Sequence, residues 1–79
     1  MDTPHSSPVG RLGTLVVATR GDAGPGEVVV QIRGGSETFT AYSAEPLQKD
    51  QQVYVAEDLG ARRVTVVAWG EREDSLLKL

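Results

Sequence analysis

Three stretches of this 79-residue chain carry residue types that do chemistry. The first is Gly21-Asp22-Ala23-Gly24-Pro25-Gly26, glycine-rich enough to suggest a phosphate-cradling loop. Such a loop holds its anion on the free N–H groups of a helix that follows it. Here Val28-Val29-Val30 follows, which is strand composition, so the stretch reads as a plain connection. The second is His5, the only histidine, beside Ser6 and Ser7. A serine nucleophile needs a base held rigidly within hydrogen-bond reach, and a histidine between Pro4 and Pro8 in a lead-in segment is not held that way. The third is Glu71, Glu73 and Asp74, which lack the ligand spacing and glycine turn of a calcium loop and read as a solvated acidic run. The absence of cysteine removes thiolate zinc sites and disulfides. No catalytic residue, cofactor or metal site is therefore expected, and the chain is not read as an enzyme.

Recognition is the chemistry that remains. Single-strand nucleic-acid binders stack bases on aromatic rings beside a basic groove, each ring contributing about 1–3 kcal/mol. If Val28, Val30, Ile32 and Phe39 face inward, the opposite face of their strands carries Glu27, Val29, Gln31, Arg33, Thr38, Thr40 and Tyr42. One ring, one base and one acid make a poor groove. Arg62 and Arg63 add a small basic spot, but the net charge of −3 offers little counterion release. Weak single-stranded nucleic-acid binding is kept as the alternative function. A protein contact fits the outward residues better. Val29, Tyr42, Tyr54, Val67 and Trp69 all fall on outward positions of their strands, and Trp and Tyr are the residues that most often anchor interfaces. Clustered on one surface, they would form an apolar patch of the kind that marks a binding site.

The elements that must position these residues are strands. Residues 1–8 read as a disordered lead-in, 9–69 as one β-barrel domain, and 70–79 as a charged tail or short helical stub. Within the barrel, apolar runs alternate with turn residues: strands are expected at about 10–19, 27–33, 37–44, 52–57 and 62–69. Val28, Val30 and Ile32, then Phe39 and Ala41, Val53 and Val55, and Val64, Val66 and Ala68 share inward faces at a period of two. Gly13 suggests a bend in the first strand. Gly34-Gly35 suggests a type I′ hairpin with two positive φ angles. Asp58-Leu59-Gly60-Ala61 is read as the last turn, and residues 45–50 as a tight connection that dips Leu47 into the core. The fold class is all-β, a small five-stranded OB-type barrel, with an SH3-like barrel as the alternative. No run approaches the roughly 20 apolar residues of a membrane span, and the first residues lack a signal peptide's basic and apolar stretches, so a soluble domain is expected.

The spacing Gly10-x-x-Gly13, then Gly24-Pro25-Gly26-Glu27-Val28-x-Val30, then Phe39-x-Ala41-x-Ser43-Ala44, then Leu47-x-Lys49-x-x-x-Val53-x-Val55, resembles the soluble C-terminal OB-fold domain of NfeD-like proteins. The similarity covers residues 9–69. It departs in one place: the family usually has a glycine after the position of Lys49, where this chain has Asp50, a residue that tolerates the left-handed conformation better than most. The resemblance implies a non-catalytic accessory domain that docks to a membrane scaffold protein of stomatin or flotillin type, with self-association as a second expectation. It also implies a cytoplasmic location, at the membrane where the domain belongs to a longer, membrane-anchored protein. No direct membrane insertion by this chain is expected, and no catalytic residue is carried over, because the matched motif contains none.

Overall fold

The computed structural model describes residues 7–70. The expectations for His5, for the acidic run Glu71, Glu73 and Asp74, and for the rest of the tail lie outside those residues. Five strands form the domain: β1 (Leu12–Val17), β2 (Gly26–Ile32), β3 (Gly35–Tyr42), β4 (Gln52–Gly60) and β5 (Arg63–Ala68). They close into a barrel in the order β1-β2-β3-β5-β4, with β4 returning to β1. All neighbours are antiparallel except β3 and β5, which run parallel over only three residue pairs, from Thr40↔Arg63 to Tyr42↔Thr65. This is the OB-type arrangement of the two barrels compatible with the strand count.

Side-chain parity fills the barrel. Leu15, Val28, Val30, Phe39, Ala41, Val53, Val55, Val64 and Val66 are buried in one cluster, with Ile32 and Leu47 at its margins. The inward faces expected for β2, β4 and β5 are therefore those observed. Gly13 has a different role from the bend expected of it. A Cβ there would sit 2.7 Å from a Val28 methyl and 2.8 Å from the Val29 carbonyl oxygen. A bare backbone at residue 13 lets β1 pair with Val30 on one side and Val53 on the other. The register shift in β1 comes later, between Leu15 and Val17. There the chain crowds Gly26, where an added Cβ would fall inside the carbonyl oxygens of Val17 and Ala18.

Two turns sit elsewhere than their residues suggest. Ile32 pairs with Gly35, so the β2–β3 hairpin is centred on Arg33-Gly34, and of these only Gly34 has a positive φ, +77°. Only one positive φ at the loop rules out the type I′ turn, which needs two. Asp58 to Gly60 remain in β4, and the last turn is Ala61-Arg62, between the paired residues Gly60 and Arg63. Ala61 and Arg62 lie at φ +55° and +59°, the sign pattern of a type I′ turn made without glycine.

One polar knot seats the β3–β4 connection. Thr19, 2 % exposed, accepts the Leu47 N–H on Oγ1 at 2.8 Å, and the Thr19 N–H donates to the Leu47 carbonyl at 2.9 Å. Ser43 Oγ lies 2.7 Å from both Thr19 Oγ1 and the Glu45 carbonyl oxygen. A carbonyl only accepts, so the single Ser43 proton goes to Glu45 and the Thr19 proton to Ser43. Every polar atom of the knot is satisfied, and Leu47 is held over the barrel. Beyond it, Gln51 N–H donates to the Gln48 carbonyl, closing a four-residue turn whose third residue, Asp50, has φ +74°. Asp50 thus adopts the left-handed conformation for which the family favours glycine. At the other end, Ser7 and Pro8 already belong to the packed domain: Pro8 is buried, and its carbonyl accepts the Arg11 N–H.

Candidate interaction surface

The outward parity of β1, β4 and β5 sets apolar side chains side by side. Leu12 pairs with Tyr54, and Tyr54 with Val67, so the three cross the sheet in one row on its solvent face. Trp69 continues the line of β5, its N–H donating to the Gln52 carbonyl at 3.1 Å. Its ring stacks diagonally on Tyr54, centroids 5.8 Å apart and planes 22° from parallel. Such an offset stack fixes both rings and contributes about 0.5–1.5 kcal/mol beyond burial. Even so, Trp69 remains 48 % exposed, Val67 47 % and Leu12 36 %. The Tyr54 edge is half-covered, so the row is a largely apolar surface open to water.

Of the five outward residues singled out in the sequence, Tyr54, Val67 and Trp69 come together. Val29 and Tyr42 do not join them. Val29 pairs with Thr14 and Thr38, on the other side of β1, and is half-buried there. Tyr42 pairs with Thr65, which in turn faces Glu57, so a polar row lies beside it. Leu12 is the residue that sequence reasoning misses. Its parity is hidden by Gly13, and only the β1–β4 register, 42 residues apart in the chain, brings it beside Tyr54.

The basic residues near the β4–β5 turn are already engaged. Arg62 packs its guanidinium 5.7 Å from the Phe39 ring centroid and pairs with Glu37 at 3.3 Å. Arg63 donates from Nε to the Gly60 carbonyl and from Nη2 to that of Leu59, both at 3.2 Å. An open concavity of about 500 Å³ at the β2–β3 hairpin is lined by Arg11, Gln31, Ile32, Arg33, Gly34 and Gly35. It is too shallow to enclose a ligand, as small-molecule sites do. Residues 21–23 of the glycine-rich stretch form one 3₁₀ turn that leads into β2, without the long helix that a phosphate site requires. Among the described residues, no group of three acidic or imidazole side chains converges as a metal site, and no helix is long and apolar enough to cross a membrane.

With strands, register and surface in place, a family model described as the NfeD C-terminal domain matches residues 12–67. The chain belongs to the NfeD C-terminal domain family. Among solved structures, the soluble domain of the NfeD protein YuaF from Bacillus subtilis, determined in solution, is similar at a TM-score of 0.63 and 27 % identity, over 75 % of this chain and 70 % of that one. No curated protein sequence matches the chain. The motif positions that carry the resemblance have structural roles in this NfeD domain. Ala41 is buried in the core, Ser43 and Leu47 belong to the Thr19 knot, and Asp50 makes the turn after Lys49. The exposed row of Leu12, Tyr54, Val67 and Trp69 includes none of the motif's residues.

Proposed function

We propose that this NfeD domain is a non-catalytic protein-interaction module that docks onto a membrane scaffold protein of stomatin or flotillin type through the outer face of β1, β4 and β5. The observation that carries this reading is the stacked, half-exposed Trp69 beside Val67, Tyr54 and Leu12. An aromatic pair already ordered before binding loses little conformational entropy on contact, which is what interface anchors require. Membership in the NfeD family supports the class of partner, since such domains are paired with these scaffolds. The proposed place of action is the cytoplasm, beside the membrane that holds the partner. Tyr42, Arg62 and Arg63 support the nucleic-acid alternative poorly, because the ring stands apart from other aromatics and both guanidiniums have partners in the domain.

The test is titration of the full chain against a full-length flotillin-like protein in vesicles, followed by calorimetry. Trp69→Ser is expected to weaken binding at least tenfold, about 1.4 kcal/mol, and Val29→Ser to leave it unchanged. Undiminished affinity in Trp69→Ser would reject this face. Binding to labelled oligo-dT at low salt that is lost on Tyr42→Ala would instead favour the alternative.

A further inference from the structure

The geometry points to a contact between the β2–β3 hairpin tip and the anionic phosphodiester headgroups of a bilayer surface, made through Arg33 and Arg11 without insertion. This goes beyond the docking reading and does not depend on it.

Two observations carry the inference. The first is charge. The open concavity of about 500 Å³ at the tip has two arginines in its lining, Arg11 and Arg33, and no carboxylate. Arg33 is exposed and has no carboxylate partner among the described residues. Arg11 donates from Nε to the Ser7 carbonyl at 3.2 Å, a bond to a neutral group that holds it at the wall. Glu37, the first carboxylate along β3 from the tip, is already paired with Arg62 at 3.3 Å.

The second is shape. Ile32 pairs with Gly35, leaving Arg33-Gly34 as the turn, and a Cβ added at Gly34 or Gly35 would meet nothing within 4 Å. The tip thus stands clear of the barrel, and its concavity is too open to enclose a free molecule. A phosphodiester displayed on a flat surface needs only such an open seat, and a planar guanidinium bonds phosphate oxygens in pairs. The tip offers one seat rather than a groove along the strands, so a headgroup fits it better than an extended acidic peptide. Each guanidinium close to an anionic bilayer contributes about fivefold in affinity. A contact of this size orients a domain rather than recruiting it. The seat borders the apolar row, since Val30 pairs with Gly13 and Gln31 of the lining therefore lies beside Leu12.

The experiment titrates the ¹⁵N-labelled full chain with vesicles of phosphatidylglycerol or of phosphatidylcholine, with no scaffold protein present, and follows ¹⁵N–¹H peak attenuation. The expected result is loss of the Arg33, Gly34 and Gly35 signals first, with phosphatidylglycerol alone, reversed by added salt. Arg33→Gln, on the exposed tip, is expected to weaken the effect about fivefold, while Lys49→Gln, exposed on the β3–β4 connection, leaves it unchanged. Equal attenuation by phosphatidylcholine would overturn the proposal, as would an equal loss in Lys49→Gln, which would mark a response to net charge alone. Attenuation centred on Trp69 instead of the tip would overturn it too. Inorganic phosphate that shifts the same amides at the same phosphate concentration would assign the seat to a free anion and reject the bilayer. A polyglutamate peptide acting at lower concentration than the lipid would reject it in favour of an acidic chain.

Discussion

Thr19 is the buried polar side chain of the described domain, and its hydroxyl oxygen is the acceptor for the Leu47 N–H. Thr19→Val keeps the shape and removes that acceptor, leaving a buried N–H without a partner. The expected cost is about 1–3 kcal/mol, read as a lower urea midpoint with an unchanged slope, and Thr19→Ser should recover most of it. The family motif singles out Ser43 and Leu47 without giving a reason for either. The reason lies 24 residues away from Ser43, where Thr19 supplies the hydroxyl that both need. No local pattern joins those positions, so their purpose is illegible at the level of single residues. Trp69 and Tyr54 are the reverse case: parity alone turns them outward, and the fold then stacks them.

Among the elements, the strands with strict alternation are readable and the turns less so. Val28, Val30 and Ile32 in β2 and Val64 and Val66 in β5 declare their faces by period. The first strand, Leu-Gly-Thr-Leu-Val-Val, does not alternate, and its outward Leu12 escapes notice for that reason. Asp58 and Gly60 look like turn residues and draw the expected last turn too early, whereas the residues that make it, Ala61 and Arg62, have no turn signature. Holding an alanine at φ +55° costs about 1–2 kcal/mol relative to the right-handed region. Ala61→Gly should therefore raise the melting temperature, the gain reduced by the roughly 0.4–1 kcal/mol of extra freedom that glycine has when unfolded. Asp50→Gly, at φ +74°, is expected to gain less, because aspartate bears that conformation with less strain. Thermal melts of the two variants side by side check the order, which a uniform effect would contradict.

For the molecule as a whole, the decisive property is that the inward side chains gather in one buried cluster inside a closed barrel. Val30 is fully buried in that cluster. Val30→Asp puts a carboxylate there with no partner, a cost of several kcal/mol against a total stability of about 5–15 kcal/mol. Loss of a cooperative melt is expected, while Gln31→Lys, one residue along and exposed, should melt as the parent does. The class of barrel is legible because strand number and parity are local properties. Its circular order is not, since a parallel β3–β5 contact and the return of β4 to β1 depend on which distant strands meet. The same order explains why Val29 and Tyr42 stand apart from the Trp69 face although all are outward by period.

The brevity of the β3–β5 contact has a colloidal consequence. Gly35 to Phe39 pair with β2 alone, so the other flank of β3 has no strand partner there among the described residues. Stray strands from crowded neighbours could polymerise along such a rim. Arg62 stands guard there, its guanidinium set over Phe39, bonded to Glu37 and reaching the Thr38 carbonyl at 3.5 Å. A charged side chain set on a strand flank in this way is one of the devices by which sheet edges discourage pairing with another chain.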